Sequence, residues 1–200
     1  MNAELKNRLD SLNEILEAVE SCKKCKLYKF RNKCVFAEGG GGAETMLIGL
    51  SPGKEENSTG RLFIGPSGDF LNGLLQLAKI CRESLYITNI IKCHAPTYAI
   101  GKAEVAACSP YLDKQIEIVR PKTIIPLGSI AMQHIFEKYN LPKKAISEIH
   151  GQTFQAPIRD LFNTTQELRI IPMFHPAAAL RTNGLLGLIR EDWQNLHNER

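Results

Sequence analysis

The sequence predicts a single-domain α/β protein in which a central parallel sheet of four strands is flanked by helices on both faces. Two observations support this fold. Short apolar runs alternate with stretches in which apolar residues recur every three or four positions, as they do in βαβ units. The length of 200 residues is that of one ordinary domain, so we expect residues 1–200 to fold as one unit.

The N-terminal part precedes the sheet. Residues 3–20 place leucines and a valine three or four positions apart, with charged residues between them, which predicts an amphipathic helix packed on the core. The segment 21–26 interrupts this pattern and contains two cysteines. The four consecutive glycines at 39–42 predict a surface loop, because glycine loses the most backbone freedom on ordering.

Four apolar runs predict the strands, at residues 45–50, 85–91, 123–128 and 168–173. Helices are predicted at residues 67–78, 103–118, 129–136 and 186–196. We expect Ser67 to cap the first of these helices, and Pro110 to kink the second or to restart it after Ser109. Ligands bind beyond the carboxyl ends of the strands in such sheets, so the segments that follow the strands are the candidate site.

Composition excludes several classes of protein. Apolar residues make up 44% of the chain and charged residues 23%, which excludes disordered and fibrous proteins. No apolar run approaches the ~20 residues that cross a bilayer, and the first residues lack the features of a signal peptide, so we expect a cytoplasmic protein that does not associate with membranes. The net charge of +4 is compatible with a nucleic-acid partner but does not require one.

The six cysteines indicate a metal site. In a chain without an export signal, spaced cysteines are more typical of metal binding or redox chemistry than of disulfides. Only Cys22 and Cys25 form a C-x-x-C pair, so a site with four thiolates needs partners from distant segments. Spacing alone fits a [4Fe–4S] cluster and a tetrahedral zinc ion equally well, and buried cysteines without a metal are the alternative.

Three segments after the strands contain motifs that are specific in combination. The first strand is followed by G-L-S-P-G at 49–53 and T-G-R-L-F-I-G at 59–65, the second ends in T-N-I-I-K-C at 88–93, and the fourth is followed by H-P-A-A-A-L-R at 175–181. Together with the cysteine spacing, these motifs resemble the uracil-DNA glycosylase superfamily, in particular its family-4 iron–sulfur enzymes. The resemblance runs from Cys22 to Trp193.

The resemblance implies a DNA repair enzyme that flips uracil, or a related deaminated base, out of DNA and cleaves its N-glycosidic bond. Its partner would be DNA containing such a base, and we expect it to act as a monomer. The resemblance also implies a [4Fe–4S] cluster as cofactor. The cysteines that match the family's cluster ligands are Cys22, Cys25, Cys93 and Cys108, whereas Cys34 and Cys81 match no ligand position.

The resemblance assigns further roles to residues near the strand ends. Asn89 would read the Watson–Crick edge of the base through its amide, Phe63 would stack on the base, and His175 would donate a hydrogen bond to uracil O2. Leu180 and Arg181 would contact DNA, with the leucine as a wedge in the minor groove. The complete predicted base-binding set is Gly49, Leu50, Ser51, Pro52, Gly53, Phe63, Asn89 and His175.

The first motif departs from the family-4 pattern. Family-4 enzymes have a glutamate directly after the first glycine, where this chain has Leu50, and an apolar residue there resembles family-5 relatives. The aspartate of those relatives, expected near Gly65, is also missing. The remaining acidic candidates are Glu55 and Glu56, and Glu56 is the predicted catalytic partner of His175. Two functions stay open: a glycosylase, or an iron–sulfur nucleic-acid-binding homologue with weak or no catalysis.

Overall fold

The computed structural model describes residues 3–96, 100–159 and 165–198. Six strands form one sheet: β1 (Ala37–Glu38), β2 (Thr45–Gly49), β3 (Leu85–Asn89), β4 (Thr123–Pro126), β5 (Phe154–Arg159) and β6 (Thr165–Ile170). The helices are α1 (Ala3–Glu20), α2 (Lys54–Thr59), α3 (Pro66–Leu77), α4 (Lys102–Val119), α5 (Ser129–Lys138), α6 (Ile146–Ile149), α7 (Pro176–Arg181) and α8 (Leu186–Asn198). None of the described helices is both long enough and apolar enough to span a membrane.

The sheet confirms the α/β fold and corrects the number of strands. The strand order is β1-β3-β2-β4-β6-β5, and the four inner strands are parallel, as predicted. The two edge strands are antiparallel and were not predicted. β1 has only two residues and thus no periodicity to detect, while β5 forms a hairpin with β6.

Three local predictions also need correction. The fourth parallel strand begins and ends about three residues earlier than expected, and Met173 pairs with Leu127 only through a single bridge. α3 begins at Pro66, which suits the first turn of a helix, and so Ser67 is not its cap. α4 runs unbroken through Pro110, because buried contacts along the helix sustain it, and no new helix starts after Ser109.

The two faces of the sheet bury two separate cores. Met46 and Ile48 face a core that also contains buried residues of α1, α4 and α5. Leu47, which lies between them, faces the other core, with buried residues of α3, α7 and α8. This alternation follows from the two-residue period of a strand. The helix layers cover the two faces of the sheet, so the carboxyl ends of the parallel strands lie at the edge between the layers.

The sheet has a topological switch point at β2. The chain passes from β2 to β3 on one side and then continues to β4 on the other side of β2. The connections that leave these neighbouring strands diverge, which opens a crevice at their carboxyl ends. The predicted motifs at 49–53 and 88–93 follow two of these strands and therefore border the crevice.

Candidate active site

A cleft with a volume of about 230 Å³ lies at this edge of the sheet. It brings together predicted residues that are up to 130 positions apart in the sequence, namely Ser51, Pro52, Gly53, Glu56, Phe63, Asn89, His175 and Arg181. Pro66, Ser67 and Ala177 also line the cleft and were not predicted as site residues, although the first two come immediately after the motif at 59–65 as a pair and Ala177 lies within the motif at 175–181. The cleft is thus built from the segments after β2, β3 and β6.

The floor of the cleft is formed where β2 and β3 end side by side. Gly49 pairs with Asn89 in the parallel register. A Cβ atom on Gly49 would overlap Asn89 Oδ1 and lie 3.0 Å from Phe63 Cζ, so only glycine leaves room for both side chains. Asn89 is 3% exposed and lines the cleft, so its side-chain amide can bind a ligand that offers complementary groups.

Phe63 has a backbone conformation that is unusual for a residue with a side chain. Its φ is +47°, in the left-handed region, which costs on the order of 1 kcal/mol or more and persists only where surrounding contacts impose it. One such contact is Gly68, at which a Cβ atom would overlap the Phe63 carbonyl oxygen. The Phe63 ring is buried, and its centroid lies 6.0 Å from that of the His175 ring.

His175 is held as a neutral hydrogen-bond donor. It caps α7, and its Nδ1 accepts a hydrogen bond of 3.1 Å from the Ala177 N–H. Because Nδ1 is an acceptor, the proton of the neutral ring is on Nε2. Burial, assisted by the charge of Arg181, lowers the pKa of His175 from 6.5 to about 4. Gly128, with φ +86°, lets the His175 Cβ approach closely.

Two carboxylates line the cleft from the first turn of α2. Glu56 is 8% exposed, and its Oε2 occupies the space in which a Cβ of residue 53 would lie, so Gly53 is needed beside it. Glu55 packs near Gly65, which also lines the cleft. The Leu50 side chain packs against the core that α1, α4 and α5 cover. The cleft nevertheless contains carboxylates, because Glu55 and Glu56 both line it.

The predicted DNA-contacting residues lie at the end of α7. Leu180 is 53% exposed, which is unusual for a leucine, and Arg181 is also exposed and borders the cleft. The same helix is capped by His175 at its other end. One short helix therefore connects the predicted hydrogen-bond donor with the predicted DNA contacts.

The four predicted metal ligands line one small cavity on the other side of the sheet. Cys22 and Cys25 follow α1, Cys93 follows β3, and Cys108 lies within α4. Cys34 and Cys81 do not line this cavity. Within residues 3–96, 100–159 and 165–198, no three His, Cys, Asp or Glu side chains are close enough together to hold a metal ion.

The cavity of the four cysteines has cationic surroundings. Lys24, Arg31 and Lys92 line it, and no carboxylate does. Arg31 donates hydrogen bonds to the last carbonyls of α1, at Val19 (2.8 Å) and Glu20 (2.6 Å). Its Nη1 also lies 3.6 Å from Cys93 Sγ. Such surroundings suit an anionic group, because they offset the negative charge of several thiolates.

Lys92 connects this cavity with the cleft, and sequence analysis did not single it out. Its side chain is fully buried, and its Nζ donates hydrogen bonds to Thr88 Oγ1 (2.7 Å), the Asn89 carbonyl (2.6 Å) and Gln115 Oε1 (2.6 Å). The three acceptors fully satisfy the ammonium group. The available signal was the position of this lysine in T-N-I-I-K-C, between Asn89 and Cys93.

Comparison with known proteins identifies the family. Residues 36–197 match the family model of the uracil DNA glycosylase superfamily. The chain belongs to this superfamily. It is 37% identical over 190 residues to the type-4 uracil-DNA glycosylase of Sulfurisphaera tokodaii, covering 94% of this chain and 84% of that relative. The type-4 enzyme of Thermotoga maritima is 35% identical over 187 residues, with 92% of each chain covered.

A more distant relative is the type-5 uracil-DNA glycosylase of Pyrobaculum aerophilum, which is 27% identical over 150 residues, or 68% of this chain and 62% of that relative. The predicted resemblance is therefore confirmed, including its weaker family-5 component. As a member of the uracil-DNA glycosylase superfamily, the chain is an enzyme of the class that hydrolyses N-glycosyl bonds.

Proposed function

We propose that this chain removes uracil, or a related deaminated base, from DNA and leaves an abasic site. The observation on which this rests is the cleft in which the amide of Asn89, the ring of Phe63 and the neutral imidazole of His175 lie together. The names of the type-4 relatives, which describe uracil-DNA glycosylases, support the substrate. We also propose that the chain acts as a monomer.

The floor of the cleft supplies base recognition. The Asn89 amide lines the cleft and offers both donors and an acceptor, which match uracil O4 and N3–H. A polar site of this kind discriminates against any base that leaves the buried Asn89 amide without a hydrogen-bond partner. The Phe63 ring supplies a stacking surface, which is worth ~1–3 kcal/mol per base.

The bond breaks when the base leaves with the electron pair of the N-glycosidic bond. Negative charge then grows on uracil O2, and positive charge grows on the deoxyribose. His175 donates its Nε2–H to that oxygen, and it needs no protonation because its Nδ1 is already occupied by the Ala177 N–H. Glu56 stabilises the cationic sugar or orients the attacking water, a contribution of ~10²–10⁴ in rate.

A second candidate function is binding of damaged nucleic acid without catalysis. The observation that favours it is the position of Leu50, whose apolar side chain packs in the core and cannot orient water. The presence of Glu56 in the cleft favours catalysis over this alternative, because a carboxylate stands within the site despite the substitution in the motif.

We further propose that Cys22, Cys25, Cys93 and Cys108 hold a [4Fe–4S] cluster. Four thiolates in a cavity without carboxylates suit iron–sulfur chemistry, and Arg31 and Lys92 offset the charge. A cube has a separate iron for each thiolate, so it suits four cysteines that come from three separate segments of the chain. When bound, the cluster would anchor three segments of the chain, and the glycosylase reaction requires no electron transfer.

The test uses purified full-length protein and a labelled duplex with one uracil, followed by hot alkali, which breaks the strand at an abasic site. We expect strand breaks with the wild type. Asn89→Ala, His175→Ala and Glu56→Gln should each slow single-turnover cleavage, with His175→Ala losing ~10²–10³-fold.

Glu44→Gln is the matched control for Glu56→Gln, because Glu44 is an exposed glutamate whose partner Lys122 lies outside the cleft. This variant should cleave like the wild type. A mobility shift of the duplex without strand breaks would favour the binding function instead. Full activity in both the Asn89 and the His175 variants would refute the site assignment.

A further inference from the structure

We propose that Glu38 and Arg82 are positioning residues for Phe63 and that they act by holding the two peptide groups of Leu62. This inference rests on the proposed function, in which Phe63 stacks on the flipped base. Neither residue lines the cleft. Both act through the backbone that carries the Phe63 ring.

Each polar backbone group of Leu62 is bound by one of the two side chains. Glu38 Oε1 accepts a hydrogen bond of 2.9 Å from the Leu62 N–H. Arg82 Nη2 donates one of 2.7 Å to the Leu62 carbonyl. The two side chains also bind each other, with Arg82 Nη2 at 2.8 Å from Glu38 Oε2. We call this arrangement of Glu38, Arg82 and the Leu62 backbone the Leu62 clamp.

The clamp fixes the torsion angle that places the Phe63 ring. The Leu62 carbonyl and the Phe63 N–H belong to the same rigid peptide plane, and rotation of that plane about the Phe63 N–Cα bond is the φ angle of Phe63. Because this φ is +47°, the plane would relax to a negative value if nothing held it. Gly68 packs closely against the carbonyl group of Phe63, which follows the Phe63 Cα. Arg82 binds the carbonyl of Leu62 and so holds the peptide group that precedes the Phe63 Cα.

Both side chains of the clamp are themselves well fixed. Glu38 belongs to β1 and is followed by Gly39, at which φ is +101° and a Cβ would overlap the Leu85 carbonyl oxygen, so the chain turns sharply there. Arg82 Nη1 donates a second hydrogen bond of 2.9 Å to Asn72 Oδ1 on α3. The side chains of Glu38 and Arg82 are only about a quarter exposed, so solvent screens the pair less than a surface ion pair.

The expected result is a loss of base stacking while the fold is retained. Each substitution removes a charge-assisted hydrogen bond to the Leu62 backbone, so Glu38→Ala and Arg82→Ala should each lower kcat/KM on uracil duplex by about tenfold or more. Glu38→Gln and Arg82→Lys, which keep an acceptor and a donor, should recover part of this loss. Glu44→Ala, which removes an exposed ion pair with Lys122, is the control and should change nothing.

A double-mutant cycle with Phe63→Ala distinguishes positioning from general stability. If the clamp acts through the ring, Glu38→Ala and Arg82→Ala should cause no further loss of kcat/KM in the Phe63→Ala background. A loss that adds fully to that of Phe63→Ala would overturn the proposal, as would wild-type activity of both clamp variants when Phe63→Ala is impaired. The four clamp variants are compared at a temperature at which thermal unfolding shows each of them to be folded.

The outcomes also separate this inference from the proposed function. If Phe63→Ala alone cleaves uracil duplex as fast as the wild type, the stacking role of Phe63 is wrong, and the clamp has no catalytic consequence. If Phe63→Ala is impaired and the clamp variants are not, the proposed function stands and only the clamp is refuted.

Discussion

His175 shows how a single residue is prepared for its role by its backbone. The helix that it caps supplies the Ala177 N–H, and that N–H occupies Nδ1. The remaining ring nitrogen then carries the only proton and can only donate. A protonated imidazole would be a stronger donor, but it would have to give up the cap and remain charged in a buried site. The arrangement therefore favours a neutral donor that works over a wide pH range.

This state of His175 predicts a pH-dependent stability. The folded-state pKa of His175 is about 4 and the ordinary value is 6.5, so the unfolded chain binds more protons between these values. The contribution of neutral His175 to stability, on the order of 3 kcal/mol, is fully present above pH 6.5 and is lost as the pH falls toward 4. The free energy of unfolding, measured with denaturant at pH 7 and at pH 5, should decrease less between these pH values for His175→Asn than for the wild type. Equal decreases for both proteins would contradict the buried neutral state.

Lys92 and the Leu62 clamp show which residues sequence analysis cannot find. The motif T-N-I-I-K-C contained Lys92, but its role depends on Gln115, which is 23 positions away and comes from α4. Arg82 and Glu38 are 44 positions apart and lie in no motif. Their functions follow from long-range contacts, which no local pattern encodes. Asn89 and His175 were predicted because they lie in motifs that resemble those of a known family, close to the carboxyl ends of strands in a parallel sheet.

Among the elements, α7 combines two functions in six residues. Its N-terminus fixes His175, and its last residues, Leu180 and Arg181, are exposed at the rim of the cleft. A wedge at this position can fill the space that a flipped base leaves in the duplex. In the proposed function, the length of α7 would set the distance between the duplex and the histidine that donates to the base.

This arrangement predicts separate effects on DNA binding and on chemistry. Leu180→Ala should weaken binding of uracil duplex severalfold but leave the single-turnover rate at saturating protein within a factor of about three, because in the proposed role the leucine contacts the duplex and not the base. Arg181→Ala should also reduce the slope of log Kd against log salt by about one. Fluorescence anisotropy at several salt concentrations measures both effects.

Leu188→Ala and Arg190→Ala are the matched controls, because both are exposed residues of the neighbouring α8 that do not line the cleft. They should bind DNA like the wild type. If Leu180→Ala slowed saturated single-turnover cleavage as strongly as His175→Ala, the separation between the two ends of α7 would be wrong.

The elements also show where periodicity is informative. Three of the inner strands, β2, β3 and β4, are buried on both faces and appear in the sequence as continuous apolar runs, so they were predicted within a few residues. β6 has exposed polar residues near its start, and that start was predicted about three residues too late. The edge strands carry no such run: Glu38 lies in a two-residue strand, and the hairpin of β5 with β6 contains polar residues throughout. Pro110 shows the opposite case, in which tertiary packing overrides a local signal for a break.

At the scale of the whole molecule, the four cysteines that line one cavity come from segments that are distant in the sequence, namely the end of α1, the loop after β3 and α4. The proposed cluster would join these segments and close long loops, and its binding free energy would contribute directly to folding.

This link predicts the consequence of losing the metal group. Wild-type protein purified without oxygen should be brown, with about four iron atoms per chain. Cys108→Ser should lose most of the iron, and its thermal midpoint should fall by about 5 °C or more, because the segments are no longer joined. Cys81→Ser is the control, since Cys81 is exposed and far from the cavity. A colourless wild type that contains zinc would refute the cluster.

Gly49, beneath the cleft, limits how this enzyme can be redesigned. Residue 49 has no side chain that could be trimmed to accept a larger substrate, and any side chain added there would displace the Asn89 amide and the Phe63 ring. A purine lesion needs space that only the side walls, such as Phe63 and Ser51, can yield. Laboratory evolution toward bulkier lesions should therefore accumulate substitutions on the walls and retain glycine at the base.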